Sequence, residues 1–162
     1  NNYGPWQFPE KLIPLTINKC LGKKKIPIYG DGKQIRDWIY VDDHIEAIKK
    51  IIQKGIIGEN YTIGSHCELT NFEVVTTICD LLDKLKPDAN NVYRNLIEYV
   101  EDRPGHDKRY AINSDKVRSL GWNPIFTWQD GIEKTIKWYL DNSDFLESKN
   151  RQVYSGERLG KL

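Results

Sequence analysis

The segment from Thr70 to Leu85 constrains the fold of this chain more than any other part of its sequence. Thr70 and Glu73 have the spacing of a capping box, in which a threonine caps a helix and a glutamate three residues later bonds back to the cap. Apolar residues then recur at helical spacing, which indicates that one face of the helix is buried. These residues are Val74, Val75, Ile78, Leu81, Leu82 and Leu85.

Four other segments show the signals of helices. The first is residues 9–21, where five apolar residues are spaced for one face. Asp42 or Asp43 is predicted to cap the second helix, and Ser114 and Thr127 to cap the last two. The predicted buried face of the second helix carries Ile45, Ile48, Ile51 and Ile52.

Short strands are predicted between these helices. Residues 26–29, 35–41, 61–63 and 96–100 are rich in β-branched, aliphatic and aromatic residues. The sequence Gly30-Asp31-Gly32 favours a tight turn, which would join the first two strands as a hairpin. Together these patterns predict an α+β (α/β) fold, a small mixed sheet with helices packed on it. We assign residues 1–141 to one domain and residues 142–162 to a C-terminal tail that crosses the surface.

The composition excludes several classes of protein. The 162 residues carry a formal net charge of +1, so there is no overall field to attract nucleic acid or an anionic membrane. No apolar stretch is long enough for a membrane span. The three cysteines, Cys20, Cys67 and Cys79, have no metal-ligand spacing, and their odd number argues against a disulfide framework. We therefore expect a cytoplasmic protein with neither nucleic acid nor membrane as a partner.

Two loops in the first part of the chain contain side chains suited to binding an anionic ligand. In residues 1–16, Asn2 offers a donor and an acceptor, and Lys11 stands at the start of a helix, where free N–H groups attract phosphate. After the glycine-rich turn, Arg36 can form a planar fork with pyrophosphate oxygens, and Tyr29 can stack on a base. The alternative interpretation of both loops is structural, as a simple turn and as a hairpin with a surface Arg36–Asp37 pair.

Two later loops add to this pattern. Asn71 lies in the capping box, where its amide can reach a ligand. The alternative is that Asn71 is an ordinary residue of the first helical turn, without a binding role. Residues 102–110 combine three cations with a rigid Pro104-Gly105 turn, which favours an anion site over a solvated charged loop. His106 belongs to this loop, and it is the one histidine for which the sequence suggests a binding role.

Other chemical signals are absent from the sequence. Tyr29 and Lys33 match a Tyr-x-x-x-Lys catalytic spacing, but the Gly-Asp-Gly between them predicts a turn rather than the helix such a pair needs. No glycine-rich dinucleotide fingerprint opens a βα unit. No metal or Ser/His/Asp constellation is visible at local spacing.

The loops in their order resemble the sugar-nucleotide-binding half of the extended short-chain dehydrogenases/reductases, and within them the dTDP-glucose 4,6-dehydratase family. The resemblance covers about residues 1–141, with a weaker match at 154–160. The motifs that carry it are Asn1-Asn2-Tyr3-Gly4-Pro5, Phe8-Pro9-Glu10-Lys11-Leu12-Ile13-Pro14, Pro27-Ile28-Tyr29-Gly30-Asp31-Gly32, Gln34-Ile35-Arg36-Asp37-Trp38, Tyr40-Val41-Asp42-Asp43-His44 and Asp102-Arg103-Pro104-Gly105-His106-Asp107.

The resemblance implies a role for individual residues. Asn1 would contact the cofactor NAD, and Arg36 and Arg103 would bind the pyrophosphate of the sugar nucleotide. The complete set of implied substrate-binding residues is Asn2, Lys11, Leu12, Ile13, Pro14, Leu15, Thr16, Pro27, Ile28, Tyr29, Gly30, Asp31, Gly32, Arg36, Asn71, Asp102, Arg103, Pro104, Gly105 and His106.

The resemblance also implies an activity, a cofactor and a partner. The family converts dTDP-glucose to dTDP-4-keto-6-deoxyglucose with NAD, and its catalytic and NAD-binding residues would lie in a half that precedes Asn1. The isolated chain is then expected to be inactive, and the complete enzyme to be a homodimer. Two alternatives are a UDP-sugar decarboxylase or epimerase of the same superfamily and a non-catalytic sugar-nucleotide-binding module. Asp37-Trp38 favours the dehydratase over the decarboxylases, which typically have Ser-Phe at these positions.

Overall fold

Helices provide most of the regular structure in residues 1–146, the part of the chain that this computed structural model describes. No helix in that range combines the length and apolar character needed to cross a membrane. Its α-helices include α1 (Leu12–Leu21), α2 (Val41–Lys54), α3 (Asn71–Leu85), α4 (Asp115–Arg118) and α5 (Trp128–Asp141), and a short 3-10 helix covers Tyr93–Leu96.

The strands form three small sheets rather than the single sheet that the sequence suggested. They are β1 (Asn2–Tyr3), β2 (Ile26–Tyr29), β3 (Ile35–Asp37), β4 (Ile39–Tyr40), β5 (Glu68–Thr70), β6 (Ile97–Val100) and β7 (Arg109–Tyr110). β1 pairs with β4 and β2 with β6, both in parallel, and the third sheet has the order β5-β3-β7 with β5 antiparallel. The predicted α+β class is confirmed.

The predicted hairpin between the second and third strands is wrong. β2 and β3 do not pair, because β2 takes β6 as its neighbour while β3 lies between β5 and β7. The predicted turn does form: Gly30 and Gly32 have φ angles of 58° and 72°, and the Gly32 N–H donates to the Tyr29 carbonyl at 3.2 Å. The turn therefore directs the chain from one sheet into another.

The predicted start of α2 is also wrong. Tyr40 occupies the N-cap position without a side-chain cap, and Asp42 and Asp43 lie in the first turn. Asp43 is 2% exposed, and its two carboxylate oxygens accept hydrogen bonds from the backbone N–H groups of Ile125 and Phe126 at 2.9 and 3.1 Å. This carboxylate is thus used to fix the loop before α5, a contact between residues too distant in sequence for a local pattern to indicate.

The predicted buried face of α2 points to solvent. Ile45, Ile48 and Ile52 are 45%, 37% and 79% exposed, whereas Ala47 is fully buried. The reason is that α2 packs its Ala47 side onto a second small core, in which Ile51 takes part at the edge. The buried members of that core are Ile39, Ala47, Val117 and Trp122.

Two strand predictions differ from the structure. Residues 61–63 form no strand among the described residues, since Tyr61 and Ile63 pack at the edge of the second core instead of pairing with a neighbour. The segment 35–41 is broken at Trp38, whose N–H donates to the Cys67 carbonyl at 2.9 Å, and the helix has already begun at Val41.

The main core confirms the strongest sequence signals. The capping box forms as predicted, with the Glu73 N–H donating to the Thr70 hydroxyl at 3.1 Å. The predicted stripe of α3 is buried except for Leu85, which is 37% exposed. Thr127 caps α5 by accepting from the Asp130 N–H at 3.2 Å. These helices pack with α1 around the apolar residues of β2.

Three further predictions lie at the edges of this core. Ser114 stands at the N-cap of α4, but its hydroxyl meets His66 Nε2 at 3.1 Å and accepts from Arg118 rather than capping the helix. The predicted tail is partly core, since Leu146 is 3% exposed and Phe145 packs against the same cluster. The motif at 154–160 lies outside the described residues.

Candidate functional site

A cavity of about 780 Å³ lies between α1, the end of β2, β3 and the loop that follows β6. It brings together residues from all four loops in which the sequence places ligand-binding side chains. Its lining residues are Asn1, Asn2, Gln7, Glu10, Lys11, Leu12, Leu15, Lys19, Lys25, Pro27, Tyr29, Arg36, Trp38, Asn71, Val100, Arg103 and His106.

One wall of the cavity is a single face of α1. Leu12, Leu15 and Lys19 are spaced by three and four residues, so they lie one above another on the helix surface. Lys11, at the N-cap, continues this face and pairs with Glu10 at 2.5 Å. The predicted binding residues that fall on the other faces of α1 point into the core, as described below.

Arg36 is the cation most deeply placed in the site. It is 7% exposed, and its guanidinium donates to the carbonyls of Ile35 at 2.7 Å and Asp107 at 3.0 Å. The same group stacks over the Tyr110 ring, 4.4 Å from its centroid. Among residues 1–146 no carboxylate forms an ion pair with it. A buried cation without an anionic partner is costly, and a ligand phosphate is a group that would satisfy it.

The loop after β6 is fixed by the side chain of Asp102. Its Oδ1 lies 2.6 Å from His106 Nδ1 and accepts from the Arg103 N–H at 2.8 Å, while Oδ2 accepts from Gln34 at 2.9 Å. The hydrogen bond with His106, followed by the one from the Arg103 N–H, holds the pKa of Asp102 below its usual value. The carboxylate thus orients His106, whose ring lies edge-on to that of Tyr29 with centroids 6.5 Å apart.

The N-terminus of α3 closes another side of the cavity. The Asn71 N–H donates to the Gln34 carbonyl and the Phe72 N–H to the Gly32 carbonyl, both at 3.0 Å. These two bonds attach the first turn of α3 to the segment between β2 and β3. As a result, the side chain of Asn71 lies at the cavity in the position expected from the sequence.

Asn1 and Asn2 lie at the end of the cavity that also contains Trp38. β1 holds them there, since the Ile39 N–H donates to the Asn1 carbonyl at 2.9 Å and Asn2 is paired with Ile39. The Asn1 nitrogen donates to the Asp37 carbonyl at 2.5 Å. Both asparagines are exposed and available to a ligand.

The structure therefore brings eleven of the twenty-one predicted binding residues to one cavity and leaves ten outside its lining. Those that line it are Asn1, Asn2, Lys11, Leu12, Leu15, Pro27, Tyr29, Arg36, Asn71, Arg103 and His106. Ile13, Pro14, Thr16 and Ile28 are buried side chains that support the walls from behind. The turn residues Gly30, Asp31 and Gly32 and the loop residues Asp102, Pro104 and Gly105 shape the rim without lining it.

Sequence reasoning missed several lining residues, above all Lys19, Lys25 and Trp38. Lys19 lies two helical turns from Lys11 on the same face, so the helical spacing alone could have placed it. With Lys11 paired to Glu10, the remaining cations of the lining are Lys19, Lys25, Arg36 and Arg103. This concentration of positive charge in a concave site attracts anions, although the whole chain carries only +1.

The described part of the chain shows no metal site. Within residues 1–146, no group of histidine, cysteine and acidic side chains has the geometry to hold a metal ion. Tyr29 and Lys33 are on a turn, as predicted, and Lys33 pairs with Asp31 at 3.1 Å. The three cysteines are free, and Cys20 and Cys79 are buried.

Sequence comparison gives close relatives for this chain. The family model for GDP-mannose 4,6 dehydratase matches residues 1–135. A dTDP-glucose 4,6-dehydratase of Escherichia coli is 52% identical over 99% of this chain, and one from Neisseria meningitidis is 51% identical over the same share. The match spans 45% and 46% of those proteins, so the chain has about half the length of the relatives it matches.

Solved structures agree with the sequence matches. A dTDP-glucose 4,6-dehydratase from Bacillus anthracis in complex with NAD is 46% identical, with a TM-score of 0.79 over 90% of this chain and 44% of the other. One from Streptomyces venezuelae, with NAD and TYD bound, is 41% identical, with a TM-score of 0.79 over 90% of this chain and 43% of the other. A UDP-glucose 4-epimerase from Thermotoga maritima shares the fold at 24% identity. The chain belongs to the dTDP-glucose 4,6-dehydratase family.

Proposed function

We propose that this chain is the sugar-nucleotide-binding part of an NAD-dependent dTDP-glucose 4,6-dehydratase. The observation that carries the proposal is the buried guanidinium of Arg36, which lines the cavity and pairs with no carboxylate of the described residues. A diphosphate would supply two neighbouring anionic groups, which suit a planar arginine fork. Arg103 and His106 face the same space and would bind the second phosphate.

The remaining predicted binding residues fit this arrangement. Tyr29 and Pro27 offer an aromatic and an apolar surface for the nucleoside, and Asn71 offers an amide beside the phosphates. Asn2 would hydrogen-bond the glucose unit, while Asn1 would meet the nicotinamide of NAD. The backbone of both asparagines is fixed by β4, since Asn2 pairs with Ile39 and the Ile39 N–H donates to the Asn1 carbonyl.

In the proposed enzyme, NAD accepts a hydride from C4 of the glucose unit and returns it to C6 after water is lost across C5 and C6. The described residues contribute only Asn1 to the cofactor, and the sequence has no glycine-rich dinucleotide fingerprint. We therefore propose that the rest of the full-length enzyme holds NAD and the catalytic groups, and that this chain by itself binds ligand without turnover.

The proposal extends to the assembly and the compartment of the full-length enzyme. The family resemblance supports a homodimer. The three free cysteines among the described residues support a reducing compartment, for which the cytoplasm is the default.

Calorimetric titration of the chain with dTDP tests the proposal. We expect weak binding, because the resemblance assigns part of the ligand site to the other half of the enzyme. Replacing Arg36 with Met should weaken dTDP binding by about tenfold or more, since a charge-assisted bidentate contact is lost. Arg94→Met is the matched control, because Arg94 pairs with Asp80 at 2.5 Å away from the cavity.

Two results would contradict the proposal. One is an Arg36→Met variant that keeps the circular dichroism spectrum and the dTDP affinity of the wild type. The other is sub-micromolar binding of dTDP-glucose by this chain alone, which would mean that the site needs no second half.

A further inference from the structure

Two lysines that line the cavity have no role in the function proposed above. Lys19 lies in the last turn of α1, and Lys25 immediately precedes β2. The turn between the two elements brings them near each other, because the Lys24 N–H donates to the Lys19 carbonyl at 2.9 Å. The two lysines therefore line the cavity from neighbouring points of the backbone.

The two lysines lie away from the arginine and histidine cluster. Tyr29 is four positions after Lys25, so the strand carries the chain about 13 Å between them. Tyr29 lies beside His106, with ring centroids 6.5 Å apart, and its carbonyl accepts from Gln34, which also binds Asp102. The cavity is thus cationic at two separate places, joined by the apolar surfaces of Leu15 and Pro27.

A sugar nucleotide has only one diphosphate, so the second cationic place must meet another part of the ligand. If the phosphates bind at Arg36 and Arg103, and the sugar extends toward Asn2, the nucleoside extends along β2 toward Lys25 and Lys19. The edge of the base would then lie between the two ammonium groups. An ammonium group has three donors and no acceptor, so it can bond a carbonyl oxygen of a base but not an exocyclic amino group.

We propose that Lys19 and Lys25 determine the base specificity of the site, by donating to the O4 carbonyl of thymine or uracil, at the position where cytosine carries an amino group instead of an acceptor. The inference rests on the proposed function, which supplies the orientation of the ligand. It adds two residues that the sequence motifs of the family resemblance do not include.

The surroundings of Lys19 suit this role. Its side chain is half-buried, and burial, followed by the charge of Lys24, lowers its pKa. An ammonium group that has already lost part of its hydration gains more from a ligand acceptor than a fully exposed one does.

Calorimetric titration with dTDP and with dCDP tests the inference. We expect the wild-type chain to bind dTDP more tightly than dCDP. The double variant Lys19→Met and Lys25→Met should lose about tenfold in dTDP affinity, the equivalent of one charged hydrogen bond, and less than about twofold in dCDP affinity. Lys24→Met is the control, because Lys24 belongs to the same turn but does not line the cavity, and its dTDP to dCDP ratio should be that of the wild type.

The outcomes separate this inference from the proposed function. Suppose that the double variant keeps the wild-type ratio of dTDP affinity to dCDP affinity, because both affinities fall equally or neither falls. This result overturns the inference alone, as long as Arg36→Met still weakens the binding of dTDP. Failure of the wild-type chain to bind dTDP at millimolar concentration overturns both. Because both lysines have partly or fully exposed side chains, the variants should fold, and circular dichroism confirms it.

Discussion

At the scale of single residues, buried charges determine how the site is held. Asp43 and Arg36 are both less than a tenth exposed, yet their surroundings differ in one respect. Asp43 receives two backbone N–H donors and is satisfied by the protein alone. Arg36 has two carbonyls and an aromatic ring but no anion of its own. This difference separates a structural charge from one that is suited to a ligand.

Gly32 gives a prediction at this scale. Its φ angle is +72°, and a Cβ would lie 2.8 Å from the Ile28 side chain and 3.2 Å from that of Phe72. Gly32→Ala should therefore lower the free energy of unfolding by about 2–4 kcal/mol, through backbone strain and crowding together. Urea denaturation measures the change.

Gly58→Ala is the matched control for that substitution. Gly58 also has a positive φ angle, +87°, but no atom lies within 4 Å of the added Cβ. Only backbone strain remains in Gly58→Ala, so its free energy of unfolding should fall by about 1 kcal/mol. Equal losses for the two variants would show that the packing around the Gly32 turn is looser than described.

At the scale of elements, the sequence predicts the features that local contacts determine, such as helix caps, but not those that distant contacts determine, such as strand pairing. The capping box of Thr70 and the cap of Thr127 involve residues three positions apart, so both were visible in the sequence. The pairing of β2 with β6 joins residues about seventy positions apart, and no local pattern encodes that choice. For the same reason the glycine turn predicts a hairpin between β2 and β3 that does not form.

The capping box leads to a prediction about stability and pH. Hydrogen bonds from the Thr70 hydroxyl, and then from its backbone N–H, hold the pKa of Glu73 below its ordinary value of 4.5. Because the folded-state pKa is lowered, the stabilisation is present above about pH 4.5 and is lost as the pH falls below it. Thr70→Ala should cost about 1 kcal/mol at pH 7 and shift the melting temperature by roughly 2–4 °C.

Urea denaturation at pH 7 and at pH 3 checks the second part of that prediction. The difference in unfolding free energy between the wild type and Thr70→Ala should be smaller at pH 3, because a larger fraction of Glu73 is protonated there than at pH 7. Thr77→Ala is a suitable control, since its hydroxyl bonds only the Glu73 carbonyl on an exposed part of α3 and does not depend on that carboxylate. A difference that does not change with pH would exclude the carboxylate from the cap.

The orientation of α2 can be tested by two substitutions on opposite faces. Ala47 is fully buried, so Ala47→Leu should overpack the second core and cost about 1–3 kcal/mol. Ile52 is 79% exposed, so Ile52→Lys should change the unfolding free energy by less than about 0.5 kcal/mol. A large loss of unfolding free energy for Ile52→Lys would instead support the buried face that the isoleucine pattern predicts. Equilibrium unfolding in urea distinguishes the two cases.

At the scale of the whole molecule, the site was predictable as a set of loops but not as a shape. The motifs identified Arg36, Arg103 and His106 because each lies in a segment of unusual composition. Lys25 belongs to a run of lysines that nothing in the sequence separates from surface residues, and Lys19 could be placed only by its helical spacing from Lys11. The turn that joins α1 to β2, in which the Lys24 N–H donates to the Lys19 carbonyl, brings Lys25 close to Lys19, and that turn is a property of the fold.

The whole chain has a net charge of +1, yet four of its cations, Lys19, Lys25, Arg36 and Arg103, line one cavity, and this contrast gives a last prediction. Binding of dTDP should weaken steeply between about 50 and 500 mM NaCl, because salt screens the attraction between the phosphates and these cations. Binding of thymidine, which has no phosphate, should hardly change. Titration calorimetry at several salt concentrations measures both, and equal salt dependence for the two ligands would show that the phosphates bind elsewhere. The free energy of unfolding should respond little over the same range, since a nearly neutral chain has little overall repulsion to screen.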